Sequence, residues 1–311
     1  AVLISDGRYA EYATSILGDG CRFLLQKQHP FSAICESIKI MKSDTLFFNG
    51  NDISFGFFSK LKESAPGYKL IEGGDEIGLL RMRKEPEELA VIEHAVRITD
   101  DCTEHLSRMI KAGMTEWDVS VEIENFYRTH GCRSTSFDSI VASGNGSSMP
   151  HYIPSMTKRI NEGETCMIDM GCLYEGYNSD LTRTFFISRI NEEMRIVYDI
   201  VLQAQLKAIA AVRPGITTGD LDAVARTHIE NAGFGAMFGH SLGHGVGLNI
   251  HEEPSVRKGG DTVLEPGMVI TIEPGIYIPG KGGVRIEDIV AVTGDGCRIL
   301  TGYPKEMKII G

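Results

Sequence analysis

The amino-acid sequence predicts an α+β protein with two domains, at residues 1–80 and 81–311. Three observations support this prediction. Short apolar runs alternate with helical stretches in the first part of the chain, the character of the sequence changes near Leu80, and the second part contains an internal repeat. At 311 residues, the chain is also longer than a single hydrophobic core usually supports.

The first domain is predicted to be a small α/β domain. Its apolar runs AVLIS, CRFLLQ and TLFFNG are typical of strands. Apolar residues recur at helical spacing between His29 and Lys42, namely Phe31, Ile34, Ile38 and Met41. Because the chain opens at Ala1 on a strand-like stretch, we expect that residues before Ala1 are missing and that this domain is truncated.

The second domain is predicted to begin with a long amphipathic helix. Pro86 lies early in this segment, where the first turn of a helix tolerates proline. One face of the helix then continues through Leu89, Ile92, Val96, Thr99 and Thr103. We therefore place the domain boundary just before this helix.

The second domain contains an internal repeat. KAGMTEWDVSVEIENFYRTHGC aligns with RPGITTGDLDAVARTHIENAGF, and the aligned identities are Gly113 with Gly215, Thr115 with Thr217, Asp118 with Asp220, and Gly131 with Gly233. HYIPSMTK then aligns with HEEPSVRK, and EGETCMIDMG with PGMVITIEPG, which pairs His151 with His251 and Asp169 with Glu273. Four identities in eight residues, in register with the flanking matches, favour duplication over chance. Two halves related by a pseudo-two-fold axis would bring the paired acids together.

Composition limits the classes of function. The formal net charge of -11 argues against non-specific binding of nucleic acid and suits a site lined by carboxylates. The seven cysteines form no CxxC pair, which favours free thiols in a reducing compartment, and so a cytoplasmic protein. We expect no membrane span, because no apolar run is long enough to cross a bilayer.

Four acids in strand-like segments predict a cation site. Asp169 lies in CMIDMG and Asp180 in GYNSDLTRTFFI, and we expect them at facing positions of a β-hairpin. Glu273 lies in VITIEPGIY and Glu287 in GVRIEDIV. A lone buried acid is costly unless it is paired, protonated or bound to a metal. Four of them in one domain therefore favour a bound cation.

A histidine adds a nitrogen ligand to these acids. His244 is flanked by glycines, which allow close approach of the backbone. Five ligands exceed what one zinc site usually takes, so we expect two divalent ions about 3.5–4 Å apart with a bridging water as nucleophile. Oxygen-rich ligation favours Mn²⁺, Mg²⁺ or Ca²⁺, and the imidazole makes Co²⁺, Fe²⁺ or Zn²⁺ acceptable.

Further polar residues surround these motifs. His151, His240 and His251 lie in loops rich in glycine and proline. They are either ordinary solvated histidines or groups that donate hydrogen bonds and move protons to a leaving amine. Arg285 precedes Glu287 by two residues. It is either a surface arginine or a group that orients a ligand carboxylate or binds a substrate carboxylate.

The motifs resemble those of the pita-bread metallopeptidases, in particular Xaa-Pro aminopeptidases and Xaa-Pro dipeptidases (prolidases). MIDMGCLYEGYNSDLTRTF, GHSLGHGVGLNIHEEP, ITIEPGIY and GVRIEDI look like that family's metal motifs, in the same order and spacing. The resemblance covers roughly Pro86 to Gly311 and implies a pita-bread catalytic domain. The first domain, with ISDGRYAEYA, looks like the carboxyl-terminal part of a creatinase-type amino-terminal domain.

The resemblance also implies roles for individual residues. The metal ligands would be Asp169, Asp180, His244, Glu273 and Glu287. His151 would handle protons or the leaving group, His240 and His251 would line the substrate site, Glu273 would share in proton transfer, and Arg285 matches the arginine before the last ligand. It implies a homodimer and a peptide substrate with proline after its first residue. Of the two divalent ions expected from the ligand chemistry, Mn²⁺ is the first candidate.

Other functions stay open at this point. Methionyl aminopeptidases share the fold and metal set but usually lack the preceding α/β domain and the extra upstream histidine. Creatinase shares the fold without metals, and the intact ligand set argues against it. A catalytically silent peptide-binding module usually lacks some ligands, whereas a structural protein with one stabilising ion leaves the clustered histidines unexplained. Dipeptidase and aminopeptidase activities are not distinguished.

Overall fold

A computed structural model describes residues 1–27, 29–73 and 76–311. The chain divides into two compact units, Ala1–Ile77 and Gly78–Gly311. The helix Glu76–Met82 crosses this division and contains the boundary that the sequence predicts at residues 80 and 81. Among the described residues, no helix combines the length and apolarity that crossing a membrane requires.

The first unit alternates strands and helices, as predicted. Its elements are β1 (Val2–Ser5), α1 (Ala10–Ile16), β2 (Arg22–Leu25), α2 (Pro30–Ile40), β3 (Thr45–Phe48), α3 (Phe55–Ser64), β4 (Lys69–Glu72) and the start of α4 (Glu76–Met82). β1 pairs with β2 and β3 with β4, both in parallel. The three predicted strands and the helix expected between His29 and Lys42 are confirmed.

After α4, the helices of the second unit are α5 (Pro86–Met109), α6 (Glu116–Thr129), α7 (Glu192–Ala211) and α8 (Thr218–Asn231). Pro86 is the first residue of α5, and Glu88 accepts a hydrogen bond from the backbone N–H of Glu85 at 2.8 Å. Ile92 and Val96 on the predicted apolar face are buried. The expected start and inner face of this helix are confirmed.

Two sheets form the centre of the second unit. The strands of the second unit are β5 (Ser134–Thr135), β6 (Ile140–Ser143), β7 (Thr165–Met170), β8 (Cys172–Tyr174), β9 (Tyr177–Asn178), β10 (Leu181–Ile187), β11 (Gly243–Gly245), β12 (Glu252–Val256), β13 (Val269–Ile272), β14 (Gly275–Ile278), β15 (Gly282–Arg285), β16 (Asp288–Val292), β17 (Cys297–Ile299) and β18 (Ile309–Ile310). One sheet has the order β18-β10-β7-β6, and the other has the order β12-β11-β13-β16-β17. β5, β8 and β9 pair separately, as do β14 and β15.

The internal repeat has a clear structural counterpart. The Thr115 hydroxyl caps α6 by accepting the N–H of Asp118 at 3.0 Å, and the Thr217 hydroxyl caps α8 by accepting that of Asp220 at 3.0 Å. Each half then continues to an antiparallel strand pair, β7 with β10 and β13 with β16. The two halves of the repeat therefore share both the cap of a helix and an antiparallel pair of central strands.

One prediction about strand register is wrong. Asp169 and Asp180 do not face each other, because the register places Thr182 opposite Asp169 and leaves Asp180 just before β10. The connection between β7 and β10 includes the pairing of β8 with β9, which a short hairpin would lack. Of the four acids, only Asp169 lies within a strand. Asp180, Glu273 and Glu287 lie just outside the ends of their neighbouring strands.

The helix caps give a test of how the second half is stabilised. Replacing Thr217 with alanine removes the acceptor for the Asp220 N–H, so we expect the free energy of unfolding to fall by about 1 kcal/mol. Urea denaturation of the full chain measures this change. Thr217→Ser keeps the hydroxyl and should stay close to the parent protein. An alanine variant as stable as the serine variant would contradict the capping role.

Candidate metal centre

All nine predicted site residues line one cavity of about 610 Å³ in the second unit. The cavity-lining residues include Asp169, Asp180, His244, Glu273, Glu287, His151, His240, His251 and Arg285. They come from both halves of the repeat and from separate loops and strand ends. The fold thus brings together residues that lie far apart along the chain.

The inner end of the cavity holds a cluster of ligand atoms. One potential ligand atom from each of Asp180, His244 and Glu287 lies within 4.8 Å of the other two. His244 Nε2 is 3.5 Å from Asp180 Oδ2 and 3.3 Å from Glu273 Oε1. The His244 Nδ1–H donates to the Gly245 carbonyl at 3.0 Å, so in the neutral ring the lone pair of Nε2 faces these oxygens.

The glycines around His244 allow two strands to approach it closely. A Cβ atom on Gly243 would lie 2.0 Å from the Thr271 carbonyl oxygen, and one on Gly245 would lie 2.3 Å from that of Glu253. Neither distance is compatible with a side chain. The expected close approach is therefore present, and it occurs between backbones.

Two oxygen atoms in the cluster support a bound cation. Asp169 Oδ1 and Glu287 Oε1 are buried and receive no hydrogen bond from the described residues. Their partner oxygens are satisfied, because Asp169 Oδ2 accepts from Arg285 at 2.5 Å and Glu287 Oε2 accepts from the Thr182 hydroxyl at 2.7 Å. A buried oxygen without a donor is costly, and a divalent ion supplies the missing partner. The donor set therefore fits such ions.

The pKa values of three of the acids are raised, because the acids are buried close to one another. Burial, followed by repulsion from Glu287, raises the pKa of Asp180 well above its ordinary value. Burial likewise raises the pKa of Glu287, with repulsion from Glu273 as the next cause. The pKa of Glu273 rises to about 7, chiefly because the group is buried. Bound cations would lower these values by compensating the negative charge.

Arg285 connects the cluster to the cavity wall. It is buried, and its guanidinium donates to Asp169, to the Thr182 hydroxyl at 2.9 Å and to the Tyr277 hydroxyl at 2.8 Å. The Tyr277 hydroxyl in turn lies 2.9 Å from His240 Nε2. Arg285 is therefore a buried residue that is bonded to a candidate ligand, and it is not a surface arginine.

The three cavity histidines outside the candidate ligand set, His151, His240 and His251, differ in their surroundings. Burial, with Arg285 as the next cause, lowers the pKa of His240 to about 4. The ring of His251 lies against that of His244, with centroids 4.4 Å apart, and its pKa is lowered chiefly by burial. His151 is exposed and lies on the loop after β6. His151 and His251 thus both have exposed surface, whereas His240 is half-buried.

Three hydroxyl residues at the site were missed by sequence reasoning. Thr182 bridges Arg285 and Glu287, Tyr277 bridges Arg285 and His240, and the Thr271 hydroxyl donates to Glu273 at 3.0 Å. Thr182 lies two residues after Asp180, and Thr271 lies two residues before Glu273. For Thr271 this spacing was the available signal, because Glu273 is its partner. Thr182 bonds to Glu287 and Arg285, which lie far along the chain, so its spacing from Asp180 gave no signal.

Comparison with known proteins assigns the family. Residues 90–294 match the family described as metallopeptidase family M24. The chain belongs to this family. It is 42% identical over 278 residues to the Xaa-Pro dipeptidase of Pyrococcus furiosus, which covers 89% of this chain and 79% of that protein.

Solved structures of this metallopeptidase family agree with the fold. An Xaa-Pro dipeptidase from Bacillus anthracis matches with a TM-score of 0.95 and 39% identity, over 99% of this chain and 86% of that one. An X-Pro aminopeptidase from Thermotoga maritima matches with a TM-score of 0.91 and 35% identity, over 99% and 87%. The predicted pita-bread catalytic domain, the small α/β domain before it and the metallopeptidase class are confirmed. Membership implies divalent metal ions.

Asp180 is the acid whose change gives the clearest test of the candidate ligands. In Asp180→Asn, the amide keeps the shape of the side chain but loses the charge, so we expect metal content after loading with Mn²⁺ to fall while circular dichroism stays unchanged. Elemental analysis of the desalted protein measures the ratio of metal to protein. Asp261→Asn, at an exposed acid outside the cavity, is the control. Equal metal content in both variants would refute Asp180 as a ligand.

The raised pKa of Glu273 predicts how the stability of the metal-free protein depends on pH. Its pKa is about 7 in the folded protein, against an ordinary value of 4.5, so the folded state keeps a proton that the unfolded chain releases. This contribution to stability is present below pH 4.5 and is lost as pH rises through 7. We expect the Tm in chelator to fall over this window more steeply than that of Glu273→Gln. Equal slopes in calorimetry would contradict the raised pKa.

Proposed function

We propose that this metallopeptidase hydrolyses the bond between an amino-terminal residue and proline, in dipeptides or at the amino ends of longer peptides. The observation that carries the proposal is the meeting of five candidate ligands and three histidines in one cavity. The similar proteins named Xaa-Pro dipeptidase and X-Pro aminopeptidase support the preference for proline. The apolar residues Pro150, Ile153 and Pro154 supply a wall suited to a proline ring.

We further propose that the five ligands hold two divalent ions, with Mn²⁺ as the first candidate because most donors are carboxylate oxygens. Asp180, His244 and Glu287 have donor atoms close enough to share one ion. Asp169 and Glu273 would complete the set from matched positions of the repeat. The chemistry that such ions supply when bound is the activation of water and the polarisation of a carbonyl oxygen.

The remaining steps fall to side chains of the cavity. Glu273 is the proposed carrier of the proton from the attacking water, and we place the proton on Oε2 because Oε1 accepts from Thr271 and faces His244. His151, on an accessible loop, is the proposed donor to the leaving proline nitrogen. His251 lines the substrate site beside His244, and Arg285 holds Asp169 in place.

The cellular setting is part of the same proposal. All seven cysteines are free thiols, which supports a reducing, cytoplasmic location. We also propose a homodimer, which rests on the resemblance of the motifs to those of the Xaa-Pro peptidases. Sedimentation analysis of the purified chain tests the second point, since a single species of monomer mass would contradict it.

A peptidase assay tests the proposed function. We expect Mn²⁺- or Co²⁺-dependent cleavage of Ala-Pro or Ala-Pro-Gly, abolished by chelator and restored by added metal. Ala-Ala-Gly is the matched control for proline preference. Cleavage of the dipeptide alone would define a dipeptidase, and cleavage of the tripeptide an aminopeptidase. Preference for Met-initiated peptides without proline, or failure to cleave any substrate, would refute the proposal.

A further inference from the structure

A buried acid outside the candidate metal centre fastens the loop that carries His151. Glu116 is the first residue of α6 and is fully buried. Its Oε1 accepts hydrogen bonds from the backbone N–H and hydroxyl of Ser143, at 2.8 and 2.7 Å. Its Oε2 accepts from the backbone N–H of Ser155 at 3.1 Å. One carboxylate thus holds both ends of the segment between these serines.

This segment forms one side of the cavity. Of its residues, Pro150, His151, Ile153 and Pro154 line the cavity together with Tyr152. Burial, followed by the interaction with Glu116, raises the pKa of Tyr152 to about 12. The position of His151 therefore depends on a loop whose base converges on the Glu116 carboxylate.

The burial of the Glu116 carboxyl group makes this arrangement costly. Its hydrogen-bond partners are two backbone N–H groups and one hydroxyl, all of them uncharged. The positive end of the helix dipole offsets part of this cost. Burial of an acid without a basic partner is rare, because neutral side chains satisfy such N–H groups at a lower cost in desolvation.

The repeat shows that the fold itself does not require this acid. Thr115 and Thr217 cap corresponding helices, so Thr218 occupies the position of Glu116 in the second half. Thr218 is also fully buried, and the second helix begins with the same cap geometry. A helix start of this kind forms with a neutral residue at that position. The carboxylate is thus specific to the half that carries His151.

We propose that Glu116 is a positioning residue that sets the place of His151 and the adjoining apolar wall relative to the peptide substrate. The catalytic consequence rests on the proposed function, whereas the fastening of the loop does not. A displacement of about 1 Å in a group that moves a proton can cost up to roughly a hundredfold in rate. Glu116 therefore acts on the reaction through the loop and without contacting substrate.

Glu116→Gln tests this role, because the amide cannot accept both backbone N–H groups. Hydrogen exchange of residues 144–154 should become faster, while metal content stays unchanged because Glu116 contacts no candidate ligand. With Ala-Pro-Gly or Ala-Pro as substrate, we expect kcat/KM to fall roughly tenfold or more. Asp118→Asn is the matched control: it weakens the cap of the same helix without contacting the loop, and should leave exchange and activity near those of the parent.

A double-mutant cycle separates positioning from general destabilisation. In a His151→Ala background, Glu116→Gln should cause little further loss of kcat/KM, because the group it positions is absent. An equal loss in both backgrounds, or unchanged exchange in residues 144–154, would overturn the proposal. If the parent cleaves no Xaa-Pro peptide, the proposed function fails and the exchange result alone decides whether Glu116 fastens the loop.

Ser143→Ala is a milder variant in case Glu116→Gln does not fold. It removes only the hydroxyl bond to Glu116 and keeps both backbone bonds. Exchange in residues 144–154 should rise by less than in Glu116→Gln, and kcat/KM should fall in the same direction. Exchange and kcat/KM both unchanged in Ser143→Ala would count against the carboxylate as the anchor.

Discussion

The burial of several carboxylates close together is the constraint on which the candidate metal centre depends. Asp180, Glu273 and Glu287 all have raised pKa values, and burial is the first cause of each. Arg285 compensates Asp169, but a single guanidinium leaves the other acids without charge balance. A cluster of this kind is tolerable only with protons or cations, and membership of a metallopeptidase family makes cations the functional state. Hydrogen bonds from Thr182, Thr271 and Arg285 fix the positions of Glu287, Glu273 and Asp169.

The duplicated architecture brings these charges to one place. Each half supplies a capped helix and an antiparallel strand pair, and each also anchors a loop that carries a cavity histidine. In the second half, the Asp222–Arg226 ion pair does this, since Arg226 donates to the carbonyl of His240 at 2.8 Å and Asp222 accepts the N–H of Leu242 at 3.2 Å. In the first half, the anchor is a single unpaired carboxylate, that of Glu116. The two loops occupy different positions in the repeat, which pairs His151 with His251, and they are held by different chemistry.

Local and long-range features differ in how far the sequence predicted them. The first turn of α5 and the caps of α6 and α8 depend on residues within one helical turn, so they were predictable. The convergence of acids and histidines on one cavity followed from the repeat and the family motifs. The register between β7 and β10 was not predictable, because the inserted β8–β9 pairing decides that Thr182 lies opposite Asp169. The roles of Thr182 and Tyr277 were missed for the same reason, since their hydroxyls contact residues distant in sequence.

The directions of its hydrogen bonds distinguish His240 from the other histidines of the cavity. The Ser241 carbonyl can only accept, so His240 Nδ1 carries the proton in their 2.7 Å contact. Arg285 can only donate to Tyr277, which leaves the tyrosine hydroxyl free to donate to His240 Nε2. Both nitrogens of a neutral His240 are therefore engaged, in agreement with its pKa of about 4. A ring fixed in this way can shape the cavity, but it has no proton to give at neutral pH. This leaves His151 and His251, both exposed, as the histidines that could donate a proton to a leaving group, and His151 is the one that we propose.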